Sequence, residues 1–374
     1  MVERRQQLDT EVFVVGGGPA GLATAIAARA AGLQVMVADC ARPPIDKACG
    51  EGIMPDGLAS LAKLGVTIPV DKAAPFQGIR FWGPWTEVEA DFPQGCGLGI
   101  RRTKLHEIFV QKAEEVGVEL RWGARIAGIS ETGVSVDGQE VRSRWIVGAD
   151  GQNSMVRRWA GLGKGFGRKH RYGFRQHFRV APWSDFVEVY WGRDAQLYVT
   201  PVSGDEVCVA MITRHAGLRF KDVIANFPQV ARYLKGVEIS TREQGAISAT
   251  RSLKNVTSGR VALVGEAAGS VDAVTGDGLS IAFQQALALA AALKAGDLSS
   301  YEKAHREITK LPAIMSRLML AMDSSAWFRG RVLRALSSEP SLFERLLAMH
   351  TGALSFVEFG LRGSTSLGWQ LLTA

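Results

Sequence analysis

The residues able to do chemistry begin with Gly16-Gly17-Gly18-Pro19-Ala20-Gly21. This segment follows the β-branched and aromatic run Val12 to Val15 and precedes the Ala-rich stretch Leu22 to Ala31. Strand, tight turn and helix, in that order, form the context in which G-x-G-x-x-G holds a pyrophosphate. Gly16 permits the turn, Gly18 lets the backbone approach a phosphate, and Gly21 lets helix and strand pack closely. The helix N-terminus adds unpaired N–H groups and the positive end of its dipole. Asp39 closes a second strand, Gln34 to Ala38, 18 residues beyond Gly21. A carboxylate placed there accepts hydrogen bonds from a ribose. The chemistry is dinucleotide binding, and this loop alone does not choose between a flavin and a nicotinamide nucleotide.

Two later blocks have the same form. Arg144-Trp145-Ile146-Val147-Gly148-Ala149 reads as a buried strand that runs into Asp150-Gly151 and a new helix through Ser154 and Arg157. Gly259 to Val264 runs into Gly265-Glu266-Ala267-Ala268-Gly269, then Thr275-Gly276-Asp277-Gly278-Leu279 and a long Ala/Leu helix to Lys294. Each strand end directs a carboxylate and open backbone at a ligand, and the last block adds a second glycine-rich helix start.

In this order the blocks resemble the class A flavoprotein monooxygenases and their relatives, the geranylgeranyl reductases and flavin-dependent halogenases. That resemblance implies an α/β fold: a glutathione-reductase-like Rossmann FAD domain with an inserted β-sheet substrate domain and C-terminal helices. It implies FAD as cofactor, with Gly16, Gly18, Pro19, Ala20 and Gly21 at the pyrophosphate and Asp39 at the adenosine ribose. Arg102, in Arg102-Thr103-Lys104-Leu105, matches the family's Arg-x-x-Leu at a helix start near the cofactor. Asp150 and Gly151 match its Asp-Gly motif, and Gly265 and Glu266 its Gly-Asp motif on the ribityl chain. Gly276, Gly278 and Leu279 would lie against the pyrimidine edge of the flavin, and Ile126 and Ala268 complete the implied set. Asp39 stands where the family usually has Glu, and Glu266 where it usually has Asp.

The loop Asp46-Lys47-Ala48-Cys49-Gly50-Glu51-Gly52-Ile53 follows Pro43 and Pro44. Its glycines let backbone approach a flat ring, so Cys49, Gly50, Glu51 and Gly52 are expected on the flavin face. Alternating residues from Arg171 to Val180, then Phe186 to Trp191, Ala195 to Pro201 and Glu206 to Thr213, read as strands of a substrate-side sheet. The expected substrate pocket comprises Cys49, Glu51, His177, Tyr198 and Pro201, with His177 and Tyr198 as candidate bases. The expected domains are 1–78, 98–168 and 255–298 for FAD, 79–97 and 169–254 for substrate, and 299–374 as a helical region.

The resemblance implies NADH or NADPH as a transient electron donor and hydroxylation of an aromatic or polyketide-type substrate through a flavin C4a-hydroperoxide. Tyr198-Val199-Thr200-Pro201 lacks the W-x-F/I-P type signature of the reductases and halogenases, and Phe81-Trp82-Gly83-Pro84-Trp85 lacks the halogenase W-x-W-x-I-P. The alternatives are a reductase of isoprenoid or other lipid double bonds and, in another class, a non-enzymatic flavin-binding protein.

Composition narrows the partners. The net charge of +7, from 44 basic and 37 acidic residues, is modest for 374 residues and forms no like-charge run, so nucleic acid is not expected. Cys40, Cys49, Cys96 and Cys208 make no C-x-x-C, no H-E-x-x-H occurs, and no metal is expected. Few cysteines fit a reducing cytoplasm. Arg4 and Arg5 are followed by Gln6 and Gln7 rather than an apolar segment, so no secretory leader is read, and no charge-free run of eighteen apolar residues predicts a transmembrane helix. Leu311, Ile314, Met315, Leu318, Met319 and Met322 share one helix face, before a break at Ser324-Ser325 and a restart at Pro340. That face is expected to pack on the body, with a peripheral membrane contact or a long-chain substrate as the sharper reading.

Overall fold

A computed structural model describes residues 8–84, 86–163, 165–166, 170–355 and 358–360. Arg4, Arg5 and Trp85 lie outside the described residues.

The fold is mixed α/β, as the sequence resemblance implies. Its first layer is a parallel sheet in the order Val261–Leu263, Gln139–Gly148, Thr10–Val15, Val35–Asp39, Glu119–Trp122. The runs of Val, Ile and Phe form strands here because both faces are covered. Register decides the location of a site. Val15 pairs with Gly148 and with Ala38, and Gly148 pairs with Leu263, so four strands end level. The segments that follow them therefore emerge side by side: the Gly16 loop, Asp39, Asp150-Gly151 and Gly265-Glu266. Ligands of open parallel sheets lie outside such carboxyl ends. Helix Pro19–Ala30 packs against helix Gly278–Ala295, whose alanines permit close approach. Among the described residues, Gly278–Ala295 is the helix long and apolar enough to span a membrane; just over half of it (56%) is buried inside the protein, as expected of a core helix.

The second layer is a seven-stranded sheet in the order Gln244–Ala249, His170–Phe178, Val207–Thr213, Ala195–Pro201, Phe186–Trp191, Gly78–Trp82, Glu87–Asp91. Side chains alternate with period two. Leu197, Val199, Val209 and Met211 pack on one side with Phe220 and Val230. Val189, Trp191, Tyr198, Ala210 and Ile212 face the other side. A small sheet of Gly52–Ile53, Gly97–Gly99 and Ala74–Phe76 lies between the layers.

Helices Ser299–Ser324, Ala326–Ser338 and Pro340–His350 cover that second side. Phe343 meets Phe81 with ring centroids 5.0 Å apart, and Val332, Leu333, Leu336, Leu346 and Leu347 complete the contact. Leu311, Met315, Met319 and Met322 turn inward with them, so most of the expected apolar face packs on the body. Ile314 and Trp327 remain exposed.

Candidate functional site

A continuous cavity of about 740 Å³ runs from the level strand ends, past the Cys49–Gly52 loop, to the underside of the C-terminal helices. Of the residues expected at a cofactor, Gly16, Gly18, Pro19, Ala20, Asp39, Cys49, Gly50, Glu51, Gly52, Arg102, Ile126, Asp150, Gly151, Gly265, Glu266, Ala268, Gly276, Gly278 and Leu279 line it. Gly21 does not: a Cβ there would lie 1.9 Å from the Gly16 carbonyl, so its role is helix–loop packing.

The strand-end region fits a dinucleotide. Gly16 has φ +109°, and a Cβ on it would lie 2.4 Å from the Ala149 carbonyl oxygen. The space where Gly18 would carry a side chain is instead open, with nothing within 4 Å, and it faces the cavity at the start of helix Pro19–Ala30. That helix presents unpaired N–H groups to the opening. The Asp39 carboxylate accepts from Gly17 N–H and Ala41 N–H, both at 2.7 Å, and keeps further lone pairs for hydroxyls. Asp150 Oδ2 caps helix Met155–Trp159 by accepting from Met155 and Val156 N–H, while its Oδ1 is buried without a partner. Arg102 Nε is also buried without a partner. Buried unsatisfied groups beside an open cradle are what a polar ligand would complete. Lys47 pairs with Glu266 across the same opening.

Arg157 does not line the cavity. It donates to the Ala267 and Gln152 carbonyls and so ties the Asp150 turn to the Gly265 turn. Burial, then neighbouring Arg251, pushes its guanidinium down to about 10.

The Cys49–Gly52 loop is held from behind. Glu51 adopts φ +62°, unusual for a non-glycine residue. Its carboxylate points inward, accepting from Arg102 N–H at 2.9 Å and lying 2.6 Å from His177 Nε2. Arg175 lies 3.1 Å from His177 Nδ1 and 3.6 Å from Glu51, and holds both Asp46 oxygens at 2.8 Å. An arginine only donates, so Nδ1 accepts and Nε2 carries the ring proton to Glu51. Burial opposes the Arg175 charge, but Glu51 and Asp46 outweigh it and raise its pKa. One network thus joins the loop, the start of helix Arg102–Glu115 and the second sheet. Cys208 lies within 4.8 Å of the Glu51 and His177 ligand atoms, but the bonded imidazole proton and the adjacent guanidinium oppose a cation there. Burial, followed by Glu51, keeps the Cys208 thiol protonated.

Asp272 to Leu279 is braced similarly. Asp272 caps the short turn Ala273–Thr275 and pairs with buried Arg171 at 3.0 Å. Tyr198 hydroxyl lies 3.0 Å from the Val274 carbonyl and 2.8 Å from Gln196 Oε1. Gly276 has φ +74°, and neither it nor Gly278 has a neighbour where a Cβ would stand.

Besides Gly21, three expectations need correction. His177 is fully buried behind the Glu51 loop and does not reach the cavity, so it cannot take a substrate proton there. Tyr198 does line the cavity, but its hydroxyl faces two acceptors and burial keeps it protonated, so it supports the turn rather than acting as a base. Pro201 is buried, its carbonyl where a Cβ on Gly99 would fall, and is not on the cavity wall. Sequence reasoning missed Arg171, Arg175 and Lys47 as supports, and His350, which reaches the wall from helix Pro340–His350. The Arg171/Arg175 pair on one strand face was a visible signal: two cations on a strand with buried neighbours need carboxylate partners.

Comparison with known proteins agrees with this geometry. The family described as "FAD binding domain" matches residues 9–298. A menaquinone reductase of Mycobacterium tuberculosis is 30% identical, over 77% of this chain and 78% of that protein. A rifampicin monooxygenase of Streptomyces venezuelae is 29% identical, over 41% of this chain and 34% of that protein. A flavoprotein/dehydrogenase from Cytophaga hutchinsonii has the same fold, with TM-score 0.84 and 18% identity over 97% of this chain and 98% of that one. With a cradle that fits the dinucleotide and a family match over most of its length, the chain belongs to the FAD binding domain family and is an FAD-dependent oxidoreductase that acts on a small molecule.

Proposed function

We propose that this oxidoreductase is an NAD(P)H-dependent monooxygenase that hydroxylates an electron-rich aromatic head on a molecule with a long apolar portion. FAD, when bound and reduced by the nicotinamide cofactor, would activate dioxygen, one atom of which goes to the ring and the other to water. The protein supplies position and dryness.

The observation that carries this reading is the chemistry of the cavity wall. Beyond the Cys49–Gly52 loop it is formed by Phe76, Ile79, Phe81, Val189, Met319 and Phe343, among other apolar groups. The carboxylates on the lining are already engaged: Asp39 with backbone, Glu51 with His177, Asp150 with backbone, Glu266 with Lys47, Asp272 with Arg171. Burial lowers His305 to about 4, so it is neutral at pH 7. The apolar chamber therefore excludes water, and the second imidazole on the lining, His350, is held by Asp277, so little acid is free. Adding hydrogen across a double bond needs a proton delivered to carbon as well as a hydride; oxygen transfer to an electron-rich ring does not.

A second reading, reduction of a lipid double bond, is favoured by the menaquinone reductase relative, whose likeness extends well beyond the dinucleotide loop. The same apolar chamber suits an isoprenoid chain. The readings separate on a phenol bearing a long alkyl chain and on a polyprenyl quinone, each with NADH or NADPH under ¹⁸O₂. The proposal expects oxygen uptake and a phenol product carrying one ¹⁸O atom. A quinone product heavier by two hydrogens, formed without oxygen uptake, would replace it with the second reading.

A further inference from the structure

His350 ends helix Pro340–His350, far from every glycine motif in sequence, yet it reaches the cavity wall. Its Nε2 lies 3.0 Å from Asp277 Oδ1, and its side chain is only 9% exposed. Asp277 stands between Gly276 and Gly278, the two open glycines of the turn, and is 4% exposed. Asp277 Oδ2 and His350 Nδ1 are both buried without a hydrogen-bond partner. Two unsatisfied polar atoms beside an opening point to a missing polar group.

We propose that His350 is a positioning and charge-holding residue for the cofactor. Held against Asp277, it keeps a titratable positive charge beside the Gly276–Leu279 turn, where it favours the reduced, more negative flavin. The proposal rests on that turn facing the flavin ring, and on FAD as cofactor, but not on oxygenation over reduction.

The charges around the imidazole are favourable. Asp277 faces it from the turn, and Asp56 from helix Pro55–Lys63. Asp56 is itself bonded to Gln284 and Ser280 of helix Gly278–Ala295. Burial alone would lower the His350 pKa, but Asp277 and then Asp56 outweigh it and raise it. Burial first, then Asp277, raises the Asp56 carboxyl. A raised histidine contributes stability below the unfolded imidazole pKa and loses it as pH rises through the folded value. The imidazolium thus also offsets two neighbouring carboxylates, and it fastens the C-terminal helices to the turn.

By linkage, a charge that favours flavin reduction must be favoured by it in turn. The test uses FAD-loaded protein with isotope-labelled histidine, titrated by NMR in the oxidised and the reduced state. The His350 signal is identified by its loss in H350Q. The expected result is a pKa higher in the reduced state, by about one unit for a tenfold coupling. H350Q should lower the midpoint potential at pH 6 by the same tenfold factor, about 30 mV for a two-electron couple. Asp277→Asn should lower the His350 pKa in both states. Identical titrations of every histidine signal in the two redox states would overturn the proposal even if no variant folds. Wild-type protein that binds no FAD would overturn the flavin assignment itself, and the proposal with it.

Discussion

Gly18 and Gly21 belong to one motif but are predicted to fail in different ways. A methyl on Gly21 would lie 1.9 Å from the Gly16 carbonyl oxygen. Helix Pro19–Ala30 would have to move, so Gly21→Ala should destabilise the protein with or without cofactor. A methyl on Gly18 meets nothing within 4 Å. Its backbone, φ −71° and ψ 176°, is ordinary extended geometry that alanine adopts. Gly18→Ala should therefore leave the apoprotein close to wild type, within the roughly 1 kcal/mol that an N-cap change costs. Its methyl occupies the path by which a pyrophosphate meets the helix N-terminus. Losing one hydrogen bond to a charged group costs about 1.5–3 kcal/mol. At 1.4 kcal/mol per tenfold, FAD affinity should fall about 10- to 150-fold. Urea melts of the apoproteins and fluorescence titration with FAD measure the two quantities separately. An alanine at 18 that binds FAD within threefold of wild type would refute the assigned phosphate path. An apoprotein as unstable as the Gly21 variant would refute the reading of open space at 18.

The remaining expectations concern the supports and the wall. Glu51→Gln should cost about 3 kcal/mol in denaturant melts, because it removes a buried charge from between His177 and Arg175 while Asp46 still partners the arginine. It should also weaken FAD binding, since the Cys49–Gly52 loop loses its anchor. Phe343→Ala should cost about 3–5 kcal/mol through the cavity left against Phe81. In steady-state assays with a long-chain substrate it should raise KM more than it lowers kcat; the reverse pattern would place Phe343 nearer the chemistry than the cavity does.

What the sequence made legible was local. Gly16 to Gly21, Asp150-Gly151 and Gly265-Glu266 each combine a strand end, a turn and a helix start within a few residues, and such context is readable without a structure. The register that brings them level was not readable, because it depends on which strands become neighbours. The supports were hidden for the same reason. His177 and Glu51 are 126 residues apart, Arg171 and Asp272 are 101 apart, and Lys47 and Glu266 are 219 apart. A histidine on an alternating strand looks like a base until the partner of each ring nitrogen is known. Tyr198 shows the complementary limit: its face was readable, but not the Val274 carbonyl that meets its hydroxyl. The C-terminal helix face was visible as a periodic pattern, yet whether it met lipid, substrate or the second sheet depended on Phe81 and Trp191, more than a hundred residues earlier.

In the proposed arrangement one cavity holds the flavin between the strand ends and the Gly276–Leu279 turn and leaves the apolar chamber for substrate. A crystal structure of the protein loaded with FAD would show whether it holds. The pyrophosphate should lie over Gly16–Gly18, the adenosine ribose at Asp39, and the ring between Gly50–Gly52 and Gly276–Leu279. The chamber under Phe81 and Phe343 should stay free of cofactor. An isoalloxazine ring seated within that chamber, or turned away from the Gly276–Leu279 turn, would contradict it.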